Sequence, residues 1–326
     1  MKKILITGIT GQDGIFLTNF LQKKGDYQVL GVSRNPYSIK KISKSLQYLN
    51  NGNFSINNID IVSTNLLNKD EVSSLLRDYQ PDYIYNLTGP SSVYESLLNP
   101  KFKIEIRNIF DNLTSSLIKE KNFCNFYQAS SSEMYKSSTN ALTENSPFLP
   151  NSPYAEAKLR NHIEVLNLRQ KYHWNIYSGI TFNHESEFRK DNYLFMKIIN
   201  SAISITKNSS SNLTIGSIDY VRDWSYAADV AEAIFNICEY GKNPTYVIGS
   251  GEGKKISDIL EIVFSYFELN WKDFTKVNPK ILRSGDPKSI IANPNLVRSE
   301  FGWNNQVSFE QMIKKCIEYK INNFKD

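Results

Sequence analysis

The stretch TGITGQDG, Thr7 to Gly14, limits what this chain can fold into more than any other. It follows a short apolar run, Ile4 to Ile6, and leads into apolar residues at helical spacing, Phe16, Leu17, Phe20 and Leu21. That order is strand, tight turn, helix. Gly8, Gly11 and Gly14 stand at G-x-x-G-x-x-G spacing, where missing side chains let the backbone turn sharply and approach a pyrophosphate at the positive end of a helix. A lone match of this kind is weak. Its context strengthens it, because a second strand, Gln28 to Ser33, follows the helix as a βαβ dinucleotide-binding unit requires. Gln12 and Asp13, inside the turn, are expected beside the cofactor as well.

The tip of the second strand bears on which dinucleotide. An acidic residue there would meet the ribose 2′-hydroxyl of NAD, whereas an arginine accommodates a 2′-phosphate. The chain reads VLGVSRNP, with Ser33 and Arg34 and no carboxylate nearby, so NADP is expected. The alternative for Arg34 is a solvated loop cation.

The alternation then repeats, with strands at Phe54 to Ile61, Tyr83 to Leu87 and Phe123 to Ala129 and helices at Lys69 to Tyr79 and Lys101 to Lys119. This predicts an α/β fold, a doubly wound parallel sheet whose ligands sit at the carboxyl ends of its strands. Leu87, at one such end, is expected beside the cofactor. Beyond Ser178 the alternation loosens: Phe182 to Asn192 reads as a long polar loop and Tyr193 to Thr206 as a helix. A helix from Tyr226 to Tyr240 and a strand from Thr245 to Ile248 follow, then helices at Ile256 to Leu269, Pro294 to Phe301 and Ser308 to Asn322. The expected division is a dinucleotide-binding domain over residues 1–182, with 222–249 returning to it, and a smaller interleaved α/β substrate domain over 183–326.

Composition excludes several classes. A net charge of +5 without a Lys/Arg block argues against nucleic acid, and no apolar run approaches the ~18 residues of a membrane span. Three widely spaced cysteines, Cys124, Cys238 and Cys316, suit reduced thiols in the cytoplasm better than disulfides or a metal site.

The chemistry concentrates between Ser130 and Lys158. Tyr154 and Lys158 stand four apart behind Ser152-Pro153, a capping serine with proline at the first helical position, so both side chains share one helical face. A phenol with pKa ~10 needs neighbouring positive charge to act as a base near neutrality, which Lys158 and an oxidised nicotinamide can supply.

TGITGQDG, QASSSEMY, SPYAEAK, GITFNHES, RDWSYAAD and FGWNNQVSFEQ together resemble extended short-chain dehydrogenases of Rossmann fold, most closely GDP-mannose 4,6-dehydratases. The resemblance implies that Tyr154 is the base at the sugar 4-hydroxyl and Lys158 its cofactor-ribose and phenol partner. By the same likeness Ser131, where these enzymes have Thr, hydrogen-bonds the 4-oxygen, and Glu133 acts at C5 and the 6-hydroxyl. Hydride would leave C4, water would depart across C5 and C6, and hydride would return to C6. Ser91, Ser132, Asn183, Lys197, Arg222 and Arg283 are implied on the substrate side and Asn65-Leu66 at the adenine. His184 is expected to be a hydrogen-bonded structural histidine. A homodimer or homotetramer acting on a GDP-sugar is implied, in which the loop Asn35 to Ser45, with Lys40, Lys41 and Lys44, could reach a neighbour's cofactor or form a solvated basic helix.

Three stretches depart from the family pattern. Asn65 replaces Asp, Thr88 to Val93 reads T-G-P-S-S-V against A-A-Q-S-H-V, and Glu187 to Asp191 reads E-F-R-K-D against P-R-R-G-E. These changes cluster on the substrate side, so the sugar is less determined than the hydride chemistry. A 4-epimerase or 4-reductase on the same scaffold would need Tyr154 and Lys158 but not Glu133. A non-catalytic NADP-binding relative would need no intact Ser131/Tyr154/Lys158 set.

Overall fold

Apolar runs with no polar alternation become strands buried on both faces, as a parallel sheet covered by helices demands. In the computed structural model, which describes residues 1–35, 37–53, 58–89, 91–99, 101–207, 211–282 and 285–323, seven such strands form the frame. They are β1 (Lys2–Thr7), β2 (Tyr27–Ser33), β3 (Ile59–Ser63), β4 (Tyr83–Asn86), β5 (Asn125–Ser131), β6 (Ile176–Thr181) and, later in the chain, β10 (Thr245–Ile248). Their order is β3-β2-β1-β4-β5-β6-β10, and every pairing is parallel. The strand order reverses between β1 and β4, which opens a crevice at their carboxyl ends.

Helices α1 (Gln12–Lys24), α2 (Ser38–Leu49), α3 (Lys69–Tyr79), α4 (Val93–Leu98), α5 (Lys101–Lys119) and α6 (Pro153–Tyr172) connect the first six strands. Two apolar cores result, one between α1, α8 and the sheet, the other between α3, α5, α6 and the opposite face. Here α8 is Ala227–Tyr240, and with β10 it joins this first sheet.

A second sheet is centred on β9 (Val221–Tyr226), which pairs with β7 (Asn183–Glu185), β11 (Gly253–Lys255) and β13 (Ser289–Ile290). β8 (Leu213–Ile215) pairs with β12 (Thr275–Val277). Around them lie α7 (Leu194–Lys207), α9 (Ile256–Tyr266), α10 (Trp271–Phe274), α11 (Asn295–Phe301) and α12 (Phe309–Asn323). Among the described residues no helix is long and apolar enough to cross a membrane.

Two expectations need correcting. Phe182 to Asn192 is not simply an open polar loop: it begins with β7, and Glu185, Ser186 and Glu187 are buried. Burial is tolerated because each carboxylate has a partner, Arg189 for Glu185 at 3.0 Å and the Tyr226 hydroxyl for Glu187 at 3.0 Å. The third strand starts at Ile59, and residues 54–57 of the predicted stretch lie outside the described residues. Of the two readings of the loop after Arg34, its basic residues lie on a helix, α2, with Lys40, Lys41 and Lys44 exposed.

Candidate active site

The glycine turn is built for a close-approaching ligand. Gly8 adopts φ +75°, a left-handed conformation that side chains disfavour, and a Cβ there would sit 3.0 Å from the Leu87 carbonyl. A Cβ on Gly14 would sit 2.6 Å from the Gly8 carbonyl oxygen, so α1 packs against the turn only because that side chain is missing. Gly11 caps α1 with no side-chain hydrogen bond, which leaves the helix's first N–H groups facing the crevice without a side-chain acceptor. These features fit a dinucleotide's pyrophosphate. Lys41 reaches the same turn, its Nζ donating to the Thr10 carbonyl at 2.8 Å.

The other residues expected at the cofactor are placed more variously. The Gln12 side chain turns away from the turn's open face, donating to the His184 carbonyl and accepting from Ser186. Asp13 meets the His184 Nε2 at 2.9 Å, while His184 Nδ1 donates to the Phe182 carbonyl at 2.7 Å. The carbonyl takes a donor at Nδ1, so the second nitrogen meets the carboxylate best when it also carries a proton. Burial opposes charge on both groups, yet their mutual attraction holds Asp13 below and His184 above their usual values. Arg34 is exposed at the tip of β2. Asn65 is exposed, its Oδ1 accepting from the Leu67 N–H at 3.1 Å; Leu66 is buried in the core, its carbonyl taken by Asn112.

The catalytic group assembles at the end of β5. Ser131 ends the strand and its hydroxyl accepts from the Glu133 N–H at 3.2 Å, starting a short 3-10 turn over Ser132–Met134. Ser132 is buried there. α6 starts as its sequence dictates: the Ser152 hydroxyl accepts from the Ala155 N–H and Pro153 opens the helix. Tyr154, 7% exposed, is fixed by its N–H donating to the Ser96 hydroxyl at 3.3 Å.

Burial pushes the Tyr154 phenol well above its ordinary value; the Ser131 hydroxyl and Arg189 work in the opposite direction, while Glu133 and Tyr193 add to the rise. Ser131 thus meets this phenol, and the charges of Glu133, Arg189 and Tyr193 bear on it. Lys158 does not touch it. Its Nζ lies 5.7 Å from the Tyr154 ring and donates to the Ala129 carbonyl at 2.8 Å, and burial pulls its pKa down to about 8. Of the two expected sources of positive charge, Lys158 is held on a carbonyl, and among the protein's own groups desolvation of the phenol prevails, which leaves the oxidised nicotinamide as the other source.

The substrate-side residues divide. Asn183 opens β7 opposite Trp224. Arg222, 8% exposed, makes an ion pair with Asp286 at 2.9 Å and donates to the Val221 carbonyl. Lys197 lines a separate cavity of about 270 Å³ on the outer side of α7, with Asp191, Asn200 and Ser204. Ser91 is hydrogen-bonded to the Tyr193 hydroxyl at 2.5 Å. Arg283 lies outside the described residues. A cavity of about 880 Å³ lies at the opposite, amino-terminal edge of the sheet around Lys2, Asp26 and Asn125, remote from this chemistry.

Sequence reasoning did not single out Ser96, Arg189 or Tyr193 as site residues. Ser96 and Tyr193 carry no local signature, and Arg189 sits in the stretch that departs from the family pattern.

The model of the GDP-mannose 4,6 dehydratase family matches residues 5–316. GDP-mannose 4,6 dehydratase 2 of Arabidopsis thaliana is 30% identical over 322 residues, covering 97% of this chain and 86% of the relative. The structure of dTDP-glucose 4,6-dehydratase from Bacillus anthracis str. Ames, in complex with NAD, superposes with a TM-score of 0.84 at 21% identity, covering 99% of this chain and 98% of that one. RMD from Pseudomonas aeruginosa, complexed with NADPH, gives a TM-score of 0.79 at 18% identity, covering 98% of each chain. The two structural likenesses speak to the fold; the full-length sequence match speaks to the lineage. With the glycine turn and the Ser131, Glu133, Tyr154 and Lys158 cluster in one crevice, the chain belongs to the GDP-mannose 4,6-dehydratase family.

Proposed function

We propose that this protein is a nucleotide-sugar 4,6-dehydratase that converts GDP-mannose to GDP-4-keto-6-deoxymannose with NADP. The observation that carries the reading is Glu133 at the end of β5, its N–H donating to the Ser131 hydroxyl at 3.2 Å, a second proton-handling group that a 4-epimerase or 4-reductase does not need. A nicotinamide held at the glycine turn would supply the acceptor for the C4 hydride and its return to C6. Tyr154 takes the proton of the 4-hydroxyl, and Ser131 holds the 4-oxygen. A ketone at C4 acidifies the C5–H bond; Glu133 takes that proton and hands it to the 6-hydroxyl, which leaves as water, and a proton returns to C5 as hydride reaches C6. Lys158, fixed on Ala129, is available to the cofactor ribose.

NADP rather than NAD is supported by Arg34 at the tip of β2, with Ser33 and Ser38 hydroxyls 2.6 Å apart beside it and no carboxylate in the turn. GDP is supported by the full-length likeness to GDP-mannose dehydratases, and Asn183, Ser132, Lys197, Arg222 and Arg283 are the residues proposed for substrate contacts. The same reading divides the chain into residues 1–182, with 222–249 returning, and a substrate part over 183–326. Exposed Tyr94, Leu97, Leu98 and Ile104 along α4 and α5 support a homodimer or homotetramer. Three buried free cysteines suit the reducing cytoplasm.

The test is incubation with GDP-mannose and NADP+, followed by mass spectrometry. A product lighter by one water, with no net NADPH, is expected. Glu133→Gln should lower kcat by roughly 10²–10⁴ while NADP+ binding is retained. Full activity in that variant would remove Glu133 from the mechanism, and consumption of NADPH on a keto-sugar would make the protein a reductase.

A further inference from the structure

The segment after β4 and the segment before α7 come from opposite sides of the crevice, and two hydrogen bonds join them. The Ser91 and Tyr193 hydroxyls are 2.5 Å apart, and the Asn192 amide donates to Glu95 at 3.0 Å. Tyr193 is held from a third side. The Arg189 guanidinium lies 3.6 Å from its ring centroid, and Arg189 is itself paired with buried Glu185 at 3.0 Å. A ring stacked under a fixed guanidinium has little freedom, so its hydroxyl has a defined place. That place is beside the site, because Ser91 lies just ahead of α4, whose Ser96 hydroxyl accepts from the Tyr154 N–H at 3.3 Å.

Two hydroxyls bonded to each other use one proton and one lone pair between them. The pair therefore keeps one O–H to donate and lone pairs to accept, and it is partly open to solvent. A sugar hydroxyl can engage both functions at once, and the proposed reading puts the hexose near Tyr154. A nucleotide phosphate would engage the donor alone.

We propose that Tyr193, acting with Ser91, is a specificity-determining residue that hydrogen-bonds a hydroxyl of the substrate's hexose. The proposal rests on the nucleotide-sugar reading above, but not on dehydration as the reaction. Tyr193→Phe isolates the hydroxyl, since the ring keeps its place beneath Arg189.

The measurement is calorimetric titration of wild type, Tyr193→Phe, Ser91→Ala and the double variant. Each is titrated with GDP-mannose and GDP, and with UDP-glucose and UDP. The preference for the sugar conjugate over its own nucleoside diphosphate is compared in the series that wild type binds. Loss of a ligand hydrogen bond predicts that Tyr193→Phe lowers this preference roughly tenfold. Affinity for the nucleoside diphosphate and the thermal midpoint should stay unchanged. The double variant should lose little more than Tyr193→Phe alone, because the two hydroxyls act as one unit. An unchanged preference in Tyr193→Phe overturns the proposal, as does a wild type that binds the sugar conjugate no tighter than the diphosphate. If the wild type shows the sugar preference, and Tyr193→Phe loses it, while no dehydrated product forms, the dehydratase reading falls and the role of Tyr193 stands.

Discussion

Lys158 shows how far a side chain's neighbours can reverse what its type suggests. In sequence it is the cation beside a tyrosine base; in the fold it is buried, donates to the Ala129 carbonyl, and has its pKa pulled down to about 8. The displacement from 10.5 to about 8 corresponds to roughly 3 kcal/mol of destabilisation in the protonated state. A lowered folded pKa means that the unfolded chain binds more protons between about 8 and 10.5, so this penalty is complete below pH 8 and fades as pH rises through that window. Lys158→Met removes the charge, and the Ala129 carbonyl keeps a donor in the Gln128 amide at 2.8 Å. The variant should melt higher than wild type at pH 7, with the difference shrinking toward pH 10, and should turn over nothing. Calorimetric scans of both proteins across that range check it, and a lower midpoint for Lys158→Met at pH 7 would contradict the desolvation argument.

At the level of elements, the site depends on strand ends being kept level. Thr7 donates to Asn86 at 2.7 Å and Asn86 donates to Gln128 at 2.7 Å, a buried hydrogen-bond chain across β1, β4 and β5 just below the crevice. In the second sheet Asp223 has a similar duty. Its buried carboxylate accepts from the Ser250 N–H and hydroxyl, the Gly251 N–H and the Ala292 N–H, tying β9 to two loops beside Arg222. Burial raises its pKa, and those four donors pull it back. Asp223→Ala would strand three backbone N–H groups, so a loss of roughly 3–5 kcal/mol is expected in urea denaturation. A loss within 1 kcal/mol, roughly a surface substitution's effect, would show that water replaces the carboxylate. The motif R-D-W could be found in the sequence, but that its aspartate organises loops while its arginine pairs with Asp286 could not.

Across the whole molecule, the link between the cofactor turn and the second sheet is the Asp13 and His184 pair. Aromatic contacts extend it: Phe188 packs against Phe16 of α1, and against Tyr48 of α2 and Tyr319 of α12, joining both ends of the chain over the 187–191 stretch. Lys320 of α12 also pairs with Asp191. The raised His184 value contributes stability that is whole below about pH 6.5 and is lost as pH climbs through the folded value. Asp13, held low, keeps its contribution until the pH falls below its ordinary range. The difference in thermal midpoint between wild type and His184→Gln should therefore be largest below about pH 6.5 and shrink as the pH rises above it. A difference independent of pH would mean that the imidazole is neutral throughout.

The sequence by itself determined the dinucleotide turn, the parallel alternation and the Tyr154 to Lys158 spacing. Each of these is local: glycine conformation, hydrophobic period and helix geometry act within a few residues. α3, α5 and β10 were legible to the residue for the same reason. What only the tertiary structure decided are the partners that meet across long separations. Gln12 and Asp13 hold the segment at 182–186, Lys158 rests on a carbonyl, and Glu185 and Glu187 are buried inside what reads as a polar loop. Tyr193 belongs with these. Its hydroxyl gains meaning only when Ser91, 102 residues away in the chain, is folded against it.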